Sequence, residues 1–200
     1  MPFLTAQQAE KLLYVSNTIK TSTNTISGYR AILGDGTVVN ANPDAVYRLI
    51  GYCISQGYTG VILYNIRSWA ASGNFASGTS TYIAVLRDFI TKMHHYGIKV
   101  FASVHGSTTP DINGFIAYNN NCPHPMQRLD GLCPEEEFWA GSPTFSAYHT
   151  NLQNLKAALN SCGPSAANST NPSLYPPGFS GAAAWANGFP GVGLPIYAIS

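Results

Sequence analysis

The sequence predicts an α/β fold assembled from parallel β/α units, and three observations carry that expectation. Short apolar runs alternate with amphipathic segments along most of the chain. The stretches between successive runs are long enough for crossover helices and too long for hairpins. The clearest run, "YTGVILYNI" at 58–66, is almost continuously apolar, as strands covered on both faces are.

Taken in order, residues 1–22 are expected to form an N-terminal helix outside the main fold. Leu12, Leu13, Val15 and Ile19 recur at roughly helical spacing and Thr5 is a fair cap. The β/α-repeat domain then covers 23–200. "SGYRAIL" at 27–33 reads as a short strand. "NPDAVYRLIGYCISQG" at 42–57 reads as a helix. Asn42 caps it, Pro43 fills the first turn where no N–H is needed, and Gly57 stops it. The 58–66 strand follows. "STYIAVLRDFITKMHHYG" at 80–97 is the second helix, with Ile83, Leu86, Phe89, Ile90 and Met93 inward and Gly97 at its end. "IKVFASVHG" at 98–106 is the third strand, and a short helix is expected near 111–118. "LDGLCPEEEFW" at 129–139 is the fourth strand. A helix over 142–163, a Pro- and Gly-rich loop over 164–193 and a fifth strand over 193–200 complete the reading. Two architectures accommodate this grammar: an open doubly wound sheet, or a TIM-type (β/α)8 barrel represented by about five of its strands.

Composition narrows the function. Charged residues make up only 10% of the 200, against about 25% in ordinary soluble domains. Ser, Thr, Asn, Gly and Tyr fill the gap, a composition expected of secreted or extracellular proteins. Lys and Arg are scattered and the net charge is +1, so no basic stripe exists for nucleic acid. No apolar run approaches the roughly 20 residues of a membrane span. The opening "MPFLTAQQAEKLL" lacks the basic segment and apolar core of a secretory leader, so no leader is visible in this numbering. Of the four cysteines, Cys122 and Cys133 flank a short loop and are disulfide candidates. The "NST" triplet makes Asn168 a glycosylation candidate. Neither a cofactor nor a metal is expected: Cys122, His124, Cys133 and His149 fit no closed zinc spacing.

The acidic run 135–137 is the strongest local signal. On a strand Cys133, Glu135 and Glu137 share one face, and Ser103 and His105 have the matching parity on the neighbouring strand. Carboxylates clustered in a partly desolvated pocket repel one another and hold a proton more tightly, which is what a general acid near neutral pH requires. Arg30 and Arg67, near the ends of the first two strands, are candidates to pair with this cluster.

"DGLCPEEE" resembles the strand-four signature of family 18 glycoside hydrolases, the chitinase group. That signature is Asp-Gly, acids at the third and fifth positions after the Asp, and a catalytic Glu at the seventh. Asp130, Gly131, Glu135 and Glu137 follow it, and Cys133 departs from it. "KVFASVHG" is similar to the family's strand-three motif through Ser103 and Gly106, with His105 in place of a glycine. The resemblance implies a (β/α)8 barrel acting on N-acetylated polysaccharide, with Glu137 as proton donor and Glu135 orienting the sugar's acetamido nucleophile. Ser103, His105, Tyr29, Tyr64 and Trp139 are the implied glycan-binding residues. Active and catalytically impaired versions both fit. A second expectation is a non-enzymatic extracellular subunit that self-assembles, since a five-strand barrel segment leaves strand edges that a homo-oligomer or partner chain would cover. A third is that these residues belong to a longer protein.

Overall fold

The computed structural model describes residues 11–16, 18–20, 25–104 and 109–134, with isolated positions between 144 and 150. Four strands form one parallel sheet in the order β1 (Leu12–Val15), β4 (Gly60–Leu63), β5 (Lys99–Val104), β6 (Gly131–Pro134). A small antiparallel pair, β2 (Thr18–Lys20) and β3 (Thr25–Ser27), follows β1. The crossovers are α1 (Tyr29–Leu33) with α2 (Pro43–Gln56), then α3 (Arg67–Ala71) with α4 (Thr81–His95), then α5 (Thr109–Asn121). The architecture is therefore mixed α/β around a parallel four-strand sheet. Its strands lie side by side in chain order, so every crossover steps in the same direction.

The helices form where the sequence supplies caps and a consistent apolar stripe. In α2 the Asn42 side chain accepts from the Asp44 and Ala45 N–H groups at 3.1 and 3.3 Å, and Pro43 takes the first position. At its other end Gly57 adopts φ +68°, which lets the Tyr58 N–H return to the Cys53 carbonyl at 2.8 Å. In α4 Ser80 accepts from the Ile83 N–H at 3.2 Å. At its C-terminus the Gly97 and Ile98 N–H groups return to the His94 and Met93 carbonyls at 2.9 and 3.1 Å, with Gly97 at φ +71°.

The two faces of the sheet differ. Leu13, Val15, Val61, Leu63, Val100, Ala102, Val104 and Leu132 join the main core with Val46 and Leu49 of α2, Leu86 and Phe89 of α4, and Phe115 and Tyr118 of α5. The opposite face carries a smaller cluster of Ile62, Phe101 and Cys133, against which Leu12 and Tyr14 pack. Ser103, also buried, pairs in register with Cys133.

Three expectations change. Instead of a helix spanning 5–22, residues 12–15 are a sheet strand whose burial alternates, Leu13 and Val15 turning to the main core. Four apolar positions fit period 2 as well as period 3.6 over so short a window. The expected strand at 27–33 is instead the end of β3 and helix α1, with Tyr29, Ile32 and Leu33 buried at helical spacing. The helix near 111–118 extends over Thr109–Asn121. The expected helix at 142–163, apart from isolated positions, the 164–193 loop and the strand at 193–200 lie outside the described residues.

α5 packs against α3 at a glycine. A Cβ at Gly114 would lie 2.4 Å from the Ala70 carbonyl oxygen, a backbone atom that cannot rotate away. Gly114→Val is expected to lower stability by about 1–3 kcal/mol through overpacking, read as a lower denaturant midpoint at unchanged slope.

Candidate functional site

Ligands of parallel sheets gather where the strands end at their carboxyl edge, and here that edge is built from several loops. The Tyr64 N–H donates to the Val15 carbonyl at 3.1 Å, extending the β1–β4 ladder by one step. The Tyr29 N–H donates to the Ser16 carbonyl at 3.0 Å and so anchors α1 on the end of β1. Asn65 then turns the chain from β4 into α3 with φ +63°, a left-handed conformation that asparagine tolerates better than most residues. Its carbonyl accepts from the Ser68 hydroxyl at 3.0 Å.

These turns enclose an open pocket of about 510 Å³. Tyr29, Arg30 and Asp35 line one side, and Asn65, Ser68 and Trp69 the other. The buried Tyr29 hydroxyl accepts from Asn65 Nδ2 at 2.8 Å and from Arg30 Nε at 3.0 Å. That bond raises the pKa of the exposed Arg30 guanidinium. Asp35 is exposed, and its carboxylate accepts from the Thr37 hydroxyl at 2.6 Å and the Thr37 N–H at 3.2 Å. Both bonds hold its pKa below the usual carboxylate range. Trp69 stands edge-on to Tyr82 at 4.9 Å, which fixes the indole at the pocket wall.

Of the residues singled out from sequence, Tyr29 lines this pocket and Tyr64 packs edge-on against it at 6.5 Å. Tyr64 also meets Tyr14 at 5.5 Å, linking the pocket to the face of the sheet that bears Ser103. Glu135, Glu137, His105, Trp139 and Asn168 lie outside the described residues. Arg30 Nε bonds the Tyr29 oxygen, and the acidic run that Arg30 and Arg67 are expected to pair with lies outside the described residues. Asn65, Asp35 and Ser68 were not legible as site residues. A polar residue directly after a buried apolar strand was the one available signal for Asn65.

The expected Cys122–Cys133 disulfide is not formed. Cys122 belongs to the helix-side core and Cys133 to the opposite face, so the sheet lies between them. Burial pushes the Cys53 thiol up to about 11. Burial raises Cys122 too, against the opposing pull of hydrogen bonds to Arg87 and Tyr118 and the charge of Arg128. Both remain thiols near neutral pH, which makes them packing groups rather than nucleophiles.

Asp130, the first residue of the family-like signature, lies at the amino end of β6, opposite the pocket edge. Its carboxylate accepts from the Val100 N–H at 2.7 Å and binds His94 Nε2 at 2.7 Å. His94 Nδ1 lies 2.9 Å from the Met126 carbonyl. With acceptors on both sides, the ring makes both bonds only when each nitrogen carries a proton. Asp130 is therefore a structural clamp between α4, β5 and β6. Among the described residues no cluster of His, Cys, Asp or Glu is suited to a metal ion, and no helix is long and apolar enough to cross a membrane.

Comparison with protein-family models, curated proteins and solved structures found no match to this chain. Removing the clamp with Asp130→Ala is expected to cost about 1–3 kcal/mol, because the Val100 N–H and His94 lose their acceptor. Thermal unfolding of the variant checks this.

Proposed function

We propose that this chain is a carbohydrate-binding β/α domain of chitinase-like barrel type, acting on N-acetylated polysaccharide outside the cell. One observation carries the reading: Ser103 of β5 stands in register with Cys133 of β6, on the face turned away from the main core. In the sequence Glu135 and Glu137 share the parity of Cys133, the position that pairs with Ser103. The sequential order of the four parallel strands supports a barrel wall, since a doubly wound sheet reverses its order at the ligand site. The charge-poor composition supports the extracellular setting. In this reading Glu137 donates a proton to the glycosidic oxygen and Glu135 orients the acetamido group. Cys133 stands where a third acid would assist, which favours binding with slow or absent turnover.

Chitin oligosaccharides test this directly. Cleavage that falls about 10²–10⁴-fold in Glu137→Gln assigns hydrolysis with Glu137 as the acid. Binding without cleavage assigns a binding domain. A chain that neither binds nor cleaves them refutes the proposal.

A second reading, a self-assembling structural subunit, draws on the outer surface. Tyr47 and Ile54 project from one side of α2, Tyr96 meets Tyr47 edge-on at 6.3 Å, and all three are about half exposed. Contiguous exposed apolar groups mark contact surfaces. Light scattering is expected to show mass rising with concentration, and Tyr47→Ser with Ile54→Ser to suppress the rise. A constant monomer mass removes this reading.

A further inference from the structure

We propose that the pocket between α1 and the β4–α3 turn holds the carboxylate of an acidic sugar, with its flanking hydroxyls on Asp35. The inference rests on the glycan reading for the sugar part of the ligand and adds a charged group that a neutral N-acetylated chain lacks.

The Tyr29 oxygen receives two hydrogen bonds, from Asn65 Nδ2 and Arg30 Nε, and these occupy its acceptor positions. Its own O–H has no acceptor among the described residues, although the side chain is only 3% exposed. A hydroxyl so held is a fixed donor, and Tyr29 lines the cavity. Arg30 supplies the second donor. Its Nε is committed to Tyr29, which orients the guanidinium and leaves both Nη groups without a partner among the described residues. Neutral O–H and charged N–H donors therefore adjoin one another through a 3.0 Å bond. An acceptor with two oxygens and a negative charge satisfies both at once, and a carboxylate is such a group.

Asp35 decides what surrounds the carboxylate. It lines the same pocket and remains ionised through its bonds to Thr37. A bare carboxylate on Arg30 leaves the Asp35 oxygens without a donor from the ligand. A sugar acid instead presents hydroxyl donors beside its carboxylate, and these suit the Asp35 oxygens. Trp69 on the opposite wall offers an apolar surface to the sugar ring.

The test is calorimetric titration of the full chain with D-glucuronate, D-glucose and acetate. Glucuronate is expected to bind at least about tenfold more tightly than either of the others, the worth of one charge-assisted hydrogen bond. Tyr29→Phe, which keeps the ring and removes the O–H, and Arg30→Gln are each expected to abolish that preference while the circular dichroism spectrum stays unchanged. Should Tyr29→Phe prove unstable, the exposed Arg30→Gln carries the test alone. Glucose binding as tightly as glucuronate overturns the proposal, and so does acetate doing so. No glucuronate binding alongside measurable binding of a chitin oligosaccharide overturns this inference alone. Failure of both ligands removes the glycan reading with it.

Discussion

The placement of the proposed site depends on the register between β5 and β6, and that register is held by Asp130. Its main-chain N–H donates to the Val100 carbonyl at 2.8 Å, while its carboxylate accepts from the Val100 N–H at 2.7 Å. One residue thus satisfies both polar groups of its neighbour before the ladder proper begins at Phe101 and Gly131. A slip of one position would exchange the two faces of β6 and carry Leu132 out of the main core. His94 locks the arrangement from outside, because its ring joins Asp130 to the end of α4 and to the Met126 carbonyl. Ser103 faces Cys133 as a consequence of contacts made at the other end of both strands.

The same end of the sheet absorbs most of the buried polar chemistry of the connection into β6. Asn119 bonds both main-chain groups of Leu129, accepting at 2.9 Å and donating at 3.2 Å. Tyr118 donates to the Gln127 carbonyl at 2.7 Å, and the buried Arg128 places two donors on the Cys122 carbonyl. Arg87 reaches the Asn121 carbonyl, so two guanidinium groups cover the carbonyls left open where α5 ends. Arg87 Nε and Gln127 Oε1 of this network are buried without a hydrogen-bond partner among the described residues, and its remaining bonds fix a loop of little regular structure. The carboxyl edge is built differently. There the Tyr29 hydroxyl accepts from Asn65 and Arg30 at the rim of an open pocket, at the edge where parallel sheets commonly place their ligands.

What the sequence made legible follows from how local each signal is. α2 and α4 were readable because cap, stripe and stop all fall within one segment, as Asn42, Leu49 and Gly57 do for α2. β4 was readable because both its faces are buried. β1 and α1 were not, since their identity is set by partners far along the chain: β4 for the first, Ser16 and the main core for the second. The parity of Ser103 with Cys133 was readable, because alternation on a strand is a local rule. The pocket was not. Its central contact joins Tyr29 to Asn65 across 36 positions, and no short-range pattern encodes a bond of that separation. The disulfide expectation failed for a related reason: nearness in sequence said nothing about which side of the sheet each cysteine takes.

The acids of this chain divide between described and undescribed residues, and the two proposed roles draw on different ones. All five aspartates are among the described residues, and all four glutamates lie outside them. Asp130 is committed to the β5–β6 clamp. Asp88 is bonded to Lys92 at 2.6 Å and to the Ala41 N–H at 2.8 Å. Asp44 and Asp111 occupy the first turns of α2 and α5. Asp35, the acid at the pocket, is kept ionised by Thr37 and so acts as an acceptor, whereas a glycosidase needs a carboxyl that keeps its proton. The pocket of Tyr29, Arg30 and Asp35 therefore has the chemistry of recognition. In the proposed reading the proton donor is Glu137 and the acidic-sugar site is this pocket, so the two proposed roles fall on different residues and are separable by mutation.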